Sequence, residues 1–291
     1  MTSLKDHTAI ITGANQGLGF ALASKLVSLG ANVVIAARDS ELLDVAYRRL
    51  SSEKRFRSQE ILSMSMDVTN SDSVDELFKQ VLSVFGGFQA LINNAGIYGP
   101  KGDSEEVSME EWKEAIDVNV IGSVLMARRA VAYFKQVNYG KIVQLGGGGA
   151  ANPMPKLTAY AASKAAIVRF MESLASELKG TNIDVNSIAP GPLNTRMLQE
   201  ILQAGPDKVG EKFYQQSLAQ NRDGGAGFEP AIRLICFLVS RESDGISGKL
   251  ISALWDDWPD WINHKEELVS TDVYTLRRIV GRDRNLGWGD L

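Results

Sequence analysis

A Rossmann-type α/β fold, a doubly wound parallel sheet of about seven strands with helices on both faces, is predicted by three observations. Apolar runs of strand length alternate with longer helix-period segments, and a glycine-rich turn follows the first apolar run. The 291 residues are 44% hydrophobic and 23% charged, ordinary globular proportions. Strands inside a parallel sheet are covered on both faces, so they read as continuous apolar runs. Right-handed crossovers then place a ligand crevice outside the carboxyl ends of the strands.

Taken in order, strands are expected near residues 8–13, 32–36, 61–66, 89–93, 140–145, 182–188 and 249–252, with helices in most intervals. The first helix starts near Gly17. Its apolar stripe of Ala21, Leu22, Leu26, Val27 and Leu29 stops at Gly30, a residue suited to a carboxyl-terminal cap. Two long alanine-rich helices are expected at about 109–137 and 158–179. Beyond Gly191 the pattern breaks at Pro192, Gly205, Pro206, Gly210 and Gly224-Gly225-Ala226-Gly227, and residues 192–228 read as a substrate lid. Residues 1–254 thus read as one dinucleotide-binding and catalytic domain. Residues 255–291 read as an extension packed on that domain or on a neighbouring subunit.

The net charge of −4 lacks the basic excess of a polyanion binder, so small molecules and other subunits are the expected partners, and nucleic acid is not. The single cysteine, Cys236, sits in an apolar helical setting and reads as a core residue. The polar start Met1–His7 does not resemble an export signal, and no apolar run reaches membrane-spanning length, so a cytoplasmic location is expected. With only His7 and His264, no histidine-built metal site is expected.

The chemistry concentrates in four places. Thr12-Gly13-Ala14-Asn15-Gln16-Gly17-Leu18-Gly19 falls where a strand turns into a helix, and its glycines permit close approach of backbone to a pyrophosphate. The second strand ends at Ala37 followed by Arg38, where an acid normally meets the ribose of NAD. A guanidinium suits a 2′-phosphate, so NADP is preferred, while Asp39 keeps NAD open. Asp67 ends the third strand and reads either as a contact to the adenine edge or as a helix cap. Tyr160 and Lys164, four residues apart, share one helix face.

Together with Asn93-Asn94-Ala95-Gly96, Asn119, Pro190-Gly191 and Thr195, these motifs make the chain resemble the short-chain dehydrogenase/reductase family from about Thr8 to Ser252. The resemblance implies that Tyr160 is general acid in reduction and base in oxidation. It implies that Lys164 stabilises the phenolate and meets the nicotinamide ribose, and that Asn119 holds a water linking the lysine to solvent. The implied cofactor set is Gly13, Asn15, Gln16, Gly17, Leu18, Gly19, Arg38, Asp67, Val68, Asn94, Ala95, Gly96, Tyr160, Lys164, Pro190, Gly191, Leu193 and Thr195, with Asn93 and Ile188 beside it. A homotetramer or homodimer built through the two long helices is also implied.

One position departs from the family pattern. Thirteen residues before Tyr160, where a substrate-orienting hydroxyl is expected, stands Gly147, and a one-residue slip gives Gly146. Ser163 reads as a helix-packing residue rather than a replacement. The expected activity is interconversion of a secondary alcohol and a ketone on a small polar molecule, with a carbohydrate or nucleotide sugar as one candidate class. The alternative is a non-catalytic or weakly active dinucleotide-binding homologue. Two features of the tail stay open: Trp255, Trp258 and Trp261 with Asp256, Asp257 and Asp260 as a sugar-stacking wall or as packing, and Arg277, Arg278, Arg282 and Arg284 as a phosphate site or as solvated charges.

Overall fold

The computed structural model describes residues 3–288. Seven strands, β1 (Thr8–Thr12), β2 (Asn32–Ala37), β3 (Ile61–Ser65), β4 (Ala90–Asn93), β5 (Gly140–Leu145), β6 (Ile183–Ala189) and β7 (Leu250–Ser252), form one sheet in the order β3-β2-β1-β4-β5-β6-β7. All six pairings are parallel. Every expected strand is present within about a residue or two of its expected bounds, because each has an apolar run that both faces of the sheet bury.

Adjacent residues of each strand feed opposite cores. Ile11, Val33, Ile35, Ile92 and Val143 face α1 (Gly17–Ser28), α2 (Ser40–Ser52) and a later helix, Glu229–Leu238. Ile10, Val34, Leu91 and Ile142 face α3 (Ser71–Phe85) and the two long helices. Caps fix the helix starts: Asp39 accepts from the Leu42 N–H, Asn70 from Ser73, and Ser108 from Glu111.

The expected rod at 109–137 is one helix interrupted by a single π turn. It runs as α4 (Met109–Ile116), the π turn Asp117–Gly122 and α5 (Ser123–Val137). The next long helix is α6 (Thr158–Glu177). Residues 192–228 hold three helices, α7 (Arg196–Ala204), α8 (Pro206–Val209) and α9 (Glu211–Asp223), and α10 (Glu229–Leu238) follows. The glycines that suggested an open segment are the joints between these helices, with Gly205, Gly210 and Gly224 all at positive φ.

After β7 the chain returns to its own domain. Trp258 packs on Phe237 with ring centroids 5.4 Å apart, and Trp261 lies against Tyr274 at 4.4 Å. Both indoles are buried in the core and Trp255 alone of the three is exposed, so the three tryptophans do not form a stacking wall. Further on, the Leu250 N–H donates to the Tyr274 carbonyl (2.8 Å), and Lys249 Nζ donates to those of Thr271 and Val273. Arg277 is bound by Asp283 and Asp272 within the tail rather than held out for a phosphate. Among the described residues no helix is long and apolar enough to cross a membrane, and no cluster of side chains suits a metal ion.

Candidate active site

The expected site residues all fall at the carboxyl edge of the sheet, the end where a doubly wound fold leaves its crevice. The β1–α1 turn brings Gly13 and Gly17 there at positive φ. Gly19 lies so close beneath the turn that a Cβ on it would meet the Gly13 carbonyl oxygen at 2.5 Å. The turn is tied to the end of β4: Asn94 Nδ2 donates to the Thr12 and Gly13 carbonyls (2.9 and 3.0 Å), and Thr12 Oγ1 accepts from the Asn94 and Ala95 N–H groups (3.0 Å each). Thr12 opens the glycine-rich motif, and its hydrogen bonds to the end of β4 emerge only when β1 and β4 lie side by side. Asn94 therefore acts through the loop it holds. Asn93 is buried and donates to the Ser123 carbonyl, so its side chain is turned away from the crevice.

The residues fit a dinucleotide. The amino end of α1 has no side-chain cap and no acid in its first turn, leaving its N–H groups and the positive end of its dipole open to an anion. Asn15, Gln16 and Leu18 complete that turn. Across it stands Thr195, 3.7 Å from where a Gly17 Cβ would lie, at the start of α7 and just past Pro190, Gly191 and Leu193. Arg38 lies beyond β2, with its guanidinium 3.6 Å from Glu114 and half exposed. Asp39 Oδ1 accepts from the Leu42 N–H and caps α2. Asp67 Oδ1 accepts from the Thr69 N–H and hydroxyl, while Asn70 caps α3. Buried Val68 sits against Gly122 of the π turn.

Tyr160 and Lys164 rise from α6. Lys164 Nζ donates to the Leu145 carbonyl at 2.9 Å and lies 5.6 Å from the Tyr160 ring centroid. Burial lowers the lysine pKa to about 8 and raises that of the Tyr160 phenol, with neighbouring Tyr98 adding to the second effect. Asn119 is held from three sides: it accepts from the Ile97 N–H (2.9 Å) and donates to the Ile97 carbonyl (2.9 Å) and Ser163 Oγ (2.8 Å). Ser163 is thus an anchor for Asn119 as well as a packing residue. A methyl on Gly96 would sit 3.1 Å from Asn119 Oδ1 and 3.5 Å from Lys164 Nζ, so these two groups flank one small space.

The missing hydroxyl is located by geometry. A Cβ on Gly147 would lie 3.1 Å from Tyr160 Oη, whereas one on Gly146 would point at the Ile188 carbonyl and Val168, inside the sheet. Gly147 is the position facing the phenol, at φ 130°, where side chains are rarely tolerated. Cys236, in α10, is buried with its thiol pushed up to about 12 by desolvation.

The family model for short chain dehydrogenases matches residues 7–205, and the chain belongs to that family of oxidoreductases. Over 196 residues it is 34% identical to an uncharacterized oxidoreductase of Staphylococcus aureus, covering 67% of this chain and 81% of that protein. Over 248 residues it is 28% identical to dehydrogenase/reductase SDR family member 4 of Sus scrofa, covering 85% and 86%. Among solved structures, NAD+-bound xylitol dehydrogenase superposes with a TM-score of 0.77 at 25% identity, covering 86% of this chain and 98% of that one. The 3-ketoacyl-(acyl-carrier-protein) reductase from Brucella melitensis, complexed with NADH, gives 0.74 at 28% identity, covering 86% and 97%.

Proposed function

We propose that the protein is an NADP-dependent oxidoreductase that interconverts a secondary alcohol and a ketone on a small polar molecule. A carbohydrate or nucleotide sugar is the substrate class this reading favours. The observation that carries it is the convergence of Tyr160, Lys164 and Asn119 on one crevice that also receives the uncapped end of α1. When bound there, the nicotinamide supplies or accepts the hydride. The side chains handle the proton and the orientation of the reacting oxygen.

With its pKa raised, Tyr160 holds its proton at neutral pH and is placed to donate it to an oxygen in ketone reduction. Lys164, with a pKa of about 8, is mainly cationic at pH 7 and is the positive charge beside the developing phenolate. The NADP preference rests on Arg38, whose weak, exposed pairing with Glu114 leaves it free to turn to a 2′-phosphate. The tandem α7 to α9 is read as the lid over the site. A cytoplasmic homodimer or homotetramer is part of the same reading, with Met109, Ile121 and Val137 exposed along the α4–α5 rod as its support.

Gly147 favours a second reading, a dinucleotide binder with little or no turnover. Tyr160→Phe separates the two. A loss of about a thousandfold or more in kcat, with NADPH affinity kept, is the expected result. Unchanged turnover of a good substrate removes Tyr160 as proton donor. In parallel, Arg38→Ala is expected to weaken NADPH binding about tenfold or more while leaving NADH within about twofold; equal effects on both dinucleotides remove the phosphate role.

A further inference from the structure

No motif singles out Tyr98. It lies on the run leaving β4 through Gly96, with its ring against that of Tyr160, centroids 4.7 Å apart and planes inclined at 58°. The two tyrosines share a small apolar cluster with Leu157, Met154 and, from the lid helices, Ile201 and Val209. Both tyrosines are only partly buried, and neither phenol hydroxyl has a hydrogen-bond partner among the described residues, which leaves both free to meet a bound molecule. On its Gly147 side, Tyr160 Oη meets bare backbone. Of the two other phenols in this cluster, Tyr98 and Tyr214, Tyr98 is the one whose ring stacks on Tyr160 among the described residues.

We propose that Tyr98 is the catalytic hydroxyl that hydrogen-bonds the reacting carbonyl oxygen, the part for which Gly147 has no side chain. This rests on the reading of Tyr160 as proton donor. In reduction the hydride adds to the carbonyl carbon, the C=O π electrons move to oxygen, and that oxygen takes the proton of Tyr160. Tyr98 keeps its own proton and donates a hydrogen bond throughout. Burial and the Glu200 carboxylate push the Tyr98 phenol up to about 12, so it stays a donor across the working range of pH. Glu200, on α7, is itself held by Lys101 at 3.5 Å, and the Lys101 ammonium lies 5.7 Å from the Tyr98 ring centroid. Lid and donor are thereby linked.

Tyr98→Phe tests this because it keeps the ring stack and removes only the hydroxyl. The parent, Tyr98→Phe and Tyr160→Phe are compared in NADPH-driven reduction of diacetyl and NADP+-driven oxidation of xylitol. The expected result for Tyr98→Phe is a fall in kcat of about tenfold to a hundredfold, with NADPH affinity by fluorescence titration and the thermal midpoint unchanged. A kcat within about twofold of the parent overturns the assignment. So does a loss of stability or of NADPH binding, which marks the hydroxyl as structural. Failure of the underlying reading looks different: Tyr160→Phe then turns over like the parent, or the parent binds NADPH yet turns over neither probe.

Discussion

Lys164 is a cation held almost entirely out of water by the neighbours that give it a role. Among the described residues its one hydrogen bond is to the Leu145 carbonyl, and desolvation outweighs that bond, bringing its pKa from 10.5 to about 8. The folded pKa lies below the unfolded one, so between about 8 and 10.5 the unfolded chain binds more protons and stability rises with pH across that window. Below about pH 8 the full burial penalty is present. Lys164→Met is therefore expected to raise stability at pH 7 by about 3.5 kcal/mol, at roughly 1.4 kcal/mol per tenfold change in proton affinity, while turnover is lost. The gain should shrink toward pH 10.5, and urea denaturation at pH 7 and pH 10 measures it. The Tyr160–Lys164 spacing was legible in the sequence because helical periodicity is local. Tyr98 was not, since only the path of the chain leaving β4 brings it against Tyr160.

The π turn Asp117–Gly122 shows what periodicity alone leaves out. Apolar spacing predicts one helix from Met109 to Val137, and it reports nothing of the extra residue that turns Asn119 inward. The side chain of Asn119 then replaces backbone partners for Ile97, a segment that belongs to no strand or helix. Asn119→Ala leaves the Ile97 N–H and carbonyl without those partners. The expected cost is about 2–4 kcal/mol in urea denaturation, together with a fall in kcat that exceeds any change in NADPH affinity. The internal structure of residues 192–228 was not legible for the opposite reason: glycines at positive φ mark both loops and helix joints, and α7, α8 and α9 use them as joints.

Across the whole molecule the two ends of the sheet carry different kinds of polar group. At the carboxyl end, among the described residues, the Tyr98 and Tyr160 hydroxyls have no hydrogen-bond partner and the start of α1 has no side-chain cap. At the amino end of β5, Lys141 Nζ is buried between Asp184 Oδ2 (2.6 Å) and Asp244 Oδ1 (2.7 Å), so its charge is already paired within the fold. Lys141→Met strands a buried carboxylate and is expected to destabilise by about 3–5 kcal/mol in urea denaturation, with turnover per folded molecule unchanged. Sequence patterning could not pair these residues, because they meet only through the register of β5 and β6 and the approach to β7. The fold itself was legible, since seven apolar runs in a parallel sheet need no partner identities to be recognised. The return of the tail orders events in time as well as in space. β7 has three residues, and its outward Leu250 N–H finds its partner only at Tyr274. During synthesis, the edge strand waits unfinished until some two dozen further residues have emerged, so a ribosome stalled in that interval holds a nearly complete sheet with one raw border.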